Sequence, residues 1–169
     1  MSKQIRSNHI KLVLTDVDGV LTDGGRYYSP KGEVLKKFHT RDGMGVNILL
    51  RNGIKTAIVT KENSSVTNKW AKDMNISFVY KGIQHKEKEL PKICRKFKVT
   101  PDQIAYIGDD VNDAKLLSSV GISATPNDGI PILKKTVDFV CKNNGGSGAF
   151  REFVDHILKI NFGKNIKWY

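Results

Sequence analysis

Long apolar runs are missing from this 169-residue chain. No stretch approaches the ~18 consecutive apolar residues that span a bilayer, so the reading is a soluble protein. The first residues, Met1 to Ser7, lead toward a strand rather than into the apolar core of a signal peptide, and a cytoplasmic location is expected. Cysteine is scarce as well, with Cys94 and Cys141 the two present. Far apart, in segments patterned as a helix and a strand, they have neither the pairing of a disulfide framework nor the spacing of a zinc site. Buried, unpaired thiols are expected. A phosphate-binding Gly-x-x-x-x-Gly-Lys-Ser/Thr does not occur, which argues against a nucleoside triphosphatase. Acidic residues are outnumbered, 17 against 28 Lys and Arg, for a net charge of +11. Such a surplus suits nucleic acid. Yet the basic residues, among them Lys31, Lys36, Lys37, Lys55, Lys69, Lys86, Lys134 and Lys159, form no run of five and accompany no RNA-binding aromatic motif. They read as a solvated surface whose field favours an anionic small substrate.

The hydrophobic share, 39%, is enough for one core, and the length fits one domain over residues 1–169. Apolar runs at 10–15, 55–59, 77–80, 104–107, 121–124 and 139–141 read as strands. Helical periodicity falls between or after them, at 43–52, 64–74, 86–97, 112–120, 130–135 and 149–158. This alternation predicts an α/β fold, a doubly wound parallel sheet joined by crossover helices. Two segments break the rhythm. Residues 25–38 show extended patterning around Ser29-Pro30-Lys31-Gly32, a turn composition, and predict a projecting β-hairpin. Its Tyr27, Tyr28, Val34, Leu35 and Phe38 offer apolar surface suited to association. The run Asn143-Asn-Gly-Gly-Ser-Gly148 reads as a glycine-rich loop before the final helix and tail, 143–169.

The first strand ends in Asp16-Val-Asp18-Gly, two carboxylates one residue apart. Other polar signals fall at later strand ends, where open parallel sheets bind ligands. These are Thr60, Lys86 after a short loop, and Gly108-Asp-Asp-Val-Asn-Asp113. Singly, each has an ordinary explanation as a turn, a helix cap or a surface lysine. Their conjunction suits phosphoryl transfer. Carboxylates gathered at one point repel unless a cation sits among them, and oxygen-only ligands favour a hard ion such as Mg²⁺. A carboxylate nucleophile is the route open without a nucleotide-binding loop.

With these residues in view, the chain resembles the haloacid dehalogenase-like phosphatases. Further motifs, Arg41-Asp42-Gly-Met-Gly45 and Gly145-Gly-Ser-Gly-Ala-Phe-Arg151-Glu, are similar to those of the group hydrolysing 3-deoxy-D-manno-octulosonate (KDO) 8-phosphate. The resemblance implies that Asp16 attacks phosphorus to form an aspartyl-phosphate, and that Asp18 protonates the leaving oxygen and then activates water. It implies Mg²⁺ held by Asp16, the backbone carbonyl of Asp18 and Asp109, with Asp113 supporting the loop. Thr60 would bind phosphoryl oxygens and Lys86 offset charge, while Arg41, Lys61, Glu62 and Arg151 are candidates for substrate contact. Where the octulosonate enzymes have Gly-Arg after the motif Thr, this chain has Lys61-Glu62. A Glu there is similar to relatives acting on nine-carbon acids of the 2-keto-3-deoxynononate or neuraminate type.

Positions 19–59 and 61–85, 41 and 25 residues long, leave no room for a cap domain. The resemblance therefore implies a homotetramer whose neighbouring subunits cover each site, in the synthesis of a surface-glycan sugar. Two other classes compete. A non-catalytic module supporting a cytidylyltransferase would not need the costly acidic cluster. A phospho-accepting receiver domain carries its acceptor Asp after a later strand.

Overall fold

A computed structural model describes residues 10–169; the reading of Met1 to Ser7 lies outside the described residues. In chain order the elements are β1 (Leu12–Thr15), β2 (Tyr27–Ser29), β3 (Gly32–Leu35), α1 (Thr40–Arg51), β4 (Lys55–Val59), α2 (Ser65–Asp73), β5 (Phe78–Tyr80), α3 (Leu90–Phe97), β6 (Ile104–Ile107), α4 (Ala114–Leu117), β7 (Ile122–Thr125), α5 (Pro131–Lys134), β8 (Phe139–Val140) and α6 (Ala149–Phe162). Six strands form one parallel sheet in the order β5-β4-β1-β6-β7-β8, and β2 with β3 form the separate hairpin. The expected α/β architecture is present, and among the described residues no cap domain interrupts it.

Strand periodicity of two divides the core. Val13, Ile58, Ala105 and Ile107 face one layer with Leu49 of α1, Ala71 of α2 and Phe153 of α6. Leu12, Leu14, Ala57, Val59 and Tyr106 face the other, against Ile93 of α3, Leu116 of α4 and Leu133 of α5. Burial on both faces explains why β1 and β6 read as continuous apolar runs rather than alternating ones. The chain leaves β1 for β4 and β5 on one side, then returns to β6 on the other. That reversal places a crevice at the carboxyl end of β1.

Element boundaries moved for physical reasons. The predicted helix at 86–97 divides into a 3-10 turn, Lys86–Glu89, and α3, because Pro91 lacks an N–H and fits only a first turn. The stretch predicted as 112–120 likewise divides into a 3-10 turn, Val111–Asp113, and the short α4. Helix α1 starts three residues earlier than its periodicity suggests, since His39 caps it through Nδ1, 3.3 Å from the N–H of Arg41. Cys141 is buried just past β8, whereas Cys94 is half-buried rather than buried; both are free. Burial raises both thiols, Cys141 to about 12, so neither is a reactive thiolate near neutrality.

Candidate active site

Register builds the site before any side chain does. Thr15 pairs with Ile58 of β4 and Ile107 of β6. Asp16, the next residue, keeps one strand-like bond, its N–H donating to the Ile107 carbonyl at 3.1 Å. Thr60 follows β4 in the same way, its N–H donating to the Tyr80 carbonyl at 2.8 Å, and Asp109 lies two residues past the end of β6; both line a cleft of about 230 Å³ with Asp16 and Asp18. The loop after β1 must then turn beneath the loop after β6. Gly19 has φ +83°, and a Cβ there would lie 2.0 Å from Asp109 Oδ2. Gly145 of the glycine-rich loop sits so close that its Cβ would meet the Gly19 carbonyl oxygen at 2.0 Å. No side chain fits either position, which is why both glycines are needed.

Lys86 reaches into this crevice from the 3-10 turn with its side chain fully buried. Its ammonium donates to Asp16 Oδ2 at 2.7 Å and to Asp113 Oδ1 at 2.6 Å. Asp113 is saturated. Oδ1 also accepts from the Tyr106 hydroxyl, and Oδ2 accepts the N–H groups of Asp109 and Asp110 at 3.0 and 3.3 Å. Sequence reasoning missed Tyr106. On a strand of apolar residues it looks like packing, and only its wholly buried hydroxyl reveals a polar task.

The charges do not balance. Asp16, Asp109 and Asp113 offer oxygens within 4.8 Å of one another, opposed by the one ammonium of Lys86. Two carboxylates ~4 Å apart repel by roughly 4 kcal/mol at an effective dielectric of 20. Burial raises the Asp16 carboxyl to about 7, opposed by Lys86 and aided by Asp113. Burial, then Asp16 and Asp113, raises Asp109 to about 8. Such a set is stable with extra protons or with a hard divalent cation, and the all-oxygen donors fit the cation.

Asp18 belongs to a second network, built from the hairpin. Lys36 was expected on the solvated surface; its side chain is in fact fully buried, ion-paired with Asp18 Oδ1 and 3.2 Å from Glu33 Oε2. Glu33 in turn accepts from Ser64 Oγ at 2.8 Å. Arg26 lies 2.8 Å from Glu62 and 4.0 Å from Asp18 Oδ2. The hairpin thus folds over the cleft of its own chain. Phe38, expected as association surface, instead stacks on Trp70 with ring centroids 4.5 Å apart. Tyr27, Tyr28, Val34 and Leu35 do remain exposed. Neither Lys36 nor Arg26 carries a sequence signal that distinguishes it from other lysines and arginines; the turn that folds them back is tertiary.

The substrate-contact candidates separate. Lys61 and Glu62 line the cleft of Asp16. Arg41 and Arg151 line a different groove, of about 700 Å³, between the start of α1 and α6. There Arg151 Nε donates to Asp155 at 2.8 Å. The neighbouring Asp42 has a structural explanation. Wholly buried, it accepts the Arg151 N–H at 2.8 Å, capping α6 from α1. Burial raises its carboxyl to about 6 against the pull of that N–H.

Comparison with known proteins finds relatives over most of the chain. A model of haloacid dehalogenase-like hydrolases matches residues 50–153. The KDO 8-phosphate phosphatase of Haemophilus influenzae is 38% identical over 92% of this chain and 87% of its own. The Escherichia coli K12 enzyme is 35% identical over 90% and 81%. A cobalt-bound structure from H. influenzae superposes with a TM-score of 0.90 at 38% identity, covering 94% of this chain and 92% of that one. The phosphatase of Moraxella catarrhalis, solved with magnesium, phosphate and KDO, gives 0.88 at 34% identity, covering 94% and 91%.

Proposed function

Because this chain belongs to the haloacid dehalogenase-like hydrolases, we propose that it is a Mg²⁺-dependent phosphomonoesterase acting on a 3-deoxy-2-ulosonic acid phosphate such as KDO 8-phosphate. The observation that carries the reading is the meeting of Asp16, Asp18, Thr60 and Asp109 in one cleft, with Lys86 bonded to Asp16 beneath it. Relatives over nine-tenths of the chain are named for that substrate, and one was solved with its sugar acid and magnesium.

Asp16 is the nucleophile. One of its oxygens is held by the Val17 N–H at 2.7 Å and the other by Lys86, so the carboxylate cannot rotate away from an in-line approach. Its oxygen bonds to phosphorus as the ester P–O bond breaks, and the departing alkoxide takes a proton from Asp18. Water then attacks the aspartyl-phosphate, gives a proton to Asp18, and releases phosphate with Asp16 regenerated. Thr60, nearly buried at the end of β4, offers a hydroxyl to the phosphoryl oxygens. The Lys86 ammonium offsets charge on nucleophile and phosphoryl group alike. Asp16, the carbonyl of Asp18 and Asp109 would hold Mg²⁺, which when bound neutralises the phosphate and the acidic cluster. Asp113, its oxygens already taken, is assigned to holding Lys86 and the 109–110 loop.

At the mouth, Arg26, Lys61 and Glu62 are assigned to the sugar acid, the two cations facing its carboxylate. Glu62 also favours a second reading, the same reaction on a nine-carbon acid 9-phosphate. Arg41 and Arg151 lie away from this mouth, and a part for them in substrate binding would require a neighbouring subunit. A capless cleft exposes its intermediate to water. The exposed Tyr27, Tyr28, Val34 and Leu35 support association into a homotetramer that encloses it. The purified protein, assayed with Mg²⁺, is expected to release phosphate from KDO 8-phosphate or a nine-carbon 9-phosphate, and the ratio of kcat/KM values assigns the substrate length. No turnover of either would refute the proposal.

A further inference from the structure

The hairpin brings a buried cation onto the residue assigned to proton transfer. We propose that Lys36 is a positioning residue that anchors one oxygen of Asp18, leaving the other to exchange the proton with the leaving oxygen. This rests on the reading of Asp16 as nucleophile and Asp18 as acid.

Three observations carry it. The Lys36 side chain has no exposure to solvent, and its ammonium sits between Asp18 Oδ1 and Glu33 Oε2. A buried ammonium is costly unless paired, so this geometry is fixed rather than incidental to a mobile surface chain. Second, Asp18 Oδ2 is buried and accepts no hydrogen bond among the described residues, although its residue lines the cleft. Arg26 stands 4.0 Å from it and is taken up by Glu62 at 2.8 Å; a buried carboxylate oxygen left without a donor is costly and marks a position that a reacting group is to fill. Third, the anchor continues into the body of the protein. Glu33 accepts from Ser64, whose hydroxyl also accepts the Thr67 N–H as the N-cap of α2. Lys36 is thereby braced from both sides.

The chemistry follows from the donor count. An ammonium can only donate, so the Asp18 oxygen it contacts must accept, and Oδ2 is the oxygen left to pass a proton to the leaving group. When the P–O bond breaks, that proton passes to the alkoxide and the new carboxylate keeps its contact with Lys36. Without Lys36 the carboxyl is free to rotate, and its proton no longer faces the leaving oxygen. The hairpin of the same chain therefore helps to assemble the site.

The test uses leaving-group dependence. A sugar alkoxide needs a proton as it departs, whereas para-nitrophenolate does not, and kcat/KM reports through the first transfer to Asp16. For Lys36→Met in Mg²⁺, kcat/KM with the sugar acid phosphate is expected to fall about 100-fold, and with para-nitrophenyl phosphate by less than about threefold. Lys36→Arg should recover at least tenfold of the loss. Glu33→Gln, which loosens the brace while keeping the cation, should show the same selectivity at about tenfold, and it carries the test if Lys36→Met does not fold. Equal losses on both substrates, no loss on either, or no recovery in Lys36→Arg overturns the proposal. Asp18→Asn separates the two readings. If it lacks the leaving-group selectivity, the assignment of Asp18 as acid fails; if it shows the selectivity and the Lys36 and Glu33 variants do not, the positioning role fails.

Discussion

At the scale of single residues, the raised carboxyls of Asp16 and Asp109, to about 7 and about 8, make a statement about stability. A carboxyl raised above its unfolded value binds its proton more tightly when folded. The stabilisation from that proton is present at low pH and lost as pH rises through 7 and 8. With a chelator present, the protein is therefore expected to melt at lower temperature at pH 8.5 than at pH 6.5. Mg²⁺ should reverse this, since ligand at a hundredfold excess over its Kd adds ~2.7 kcal/mol, or roughly 5–10 °C for a domain of this size. Asp109→Asn, which removes one of the competing charges, should melt higher than the wild type in chelator at pH 8.5 and respond little to Mg²⁺. Calorimetry at the two pH values checks both statements. Equal Mg²⁺ shifts in the two proteins would remove Asp109 from the metal site. The meeting of Asp16, Asp18, Thr60, Lys86 and Asp109 in one crevice was legible in the sequence because strand ends in a parallel sheet converge whatever the intervening length. Tyr106, Lys36 and Arg26 were not, because a tyrosine in a strand or a lysine in a hairpin has the same local pattern wherever it points.

Among the elements, α1 and α6 are joined by a bond that no helical periodicity records. Asp42, in the first turn of α1, accepts the N–H of Arg151 in the first turn of α6 and holds the glycine-rich loop against the loop after β1. Its carboxyl is raised to about 6, so ionisation above that pH costs the folded state up to about 3 kcal/mol relative to the protonated form. An asparagine keeps the acceptor and never ionises. Asp42→Asn should accordingly lose stability relative to the wild type near pH 4 and regain it by pH 7.5, a crossing readable in urea midpoints. A parallel pair of curves would mean that Asp42 titrates in the native state as it does in the unfolded chain. Strands proved easier to read than helices. Burial on both faces makes a strand a plain apolar run, whereas Pro91 and the caps at His39 and Ser64 decide helix ends by single contacts. The hairpin itself was visible from its turn composition, but its fold-back over the cleft depends on Lys36, Glu33 and Arg26 finding partners 18, 31 and 36 residues away.

At the scale of the whole molecule, no cap domain is present among the described residues, and the proposed function gives the hairpin two duties, one toward its own cleft and one outward. Tyr28 and Leu35 are 64% and 61% exposed, more apolar surface than a two-stranded ribbon needs for its own fold. If that face joins four subunits, Leu35→Glu should convert a particle of four 18.9 kDa chains to smaller species by light scattering. The Lys36–Asp18 contact within each chain would remain. The dissociated protein should then lose sugar-phosphate turnover mainly through KM, about tenfold or more, because enclosure orients substrate; an unchanged mass would contradict the assembly. The proposed chemistry nevertheless stands first on Asp16. The most direct measurement is the intact mass of the Mg²⁺-loaded protein, rapidly quenched during turnover of its sugar acid phosphate, beside that of Asp16→Asn. The wild type should carry a transient phosphoryl adduct that maps to Asp16, and Asp16→Asn should carry none and turn over at least ~1000-fold more slowly. Phosphate release by Asp16→Asn at a rate near that of the wild type would contradict the nucleophile, and with it the function proposed for the cleft.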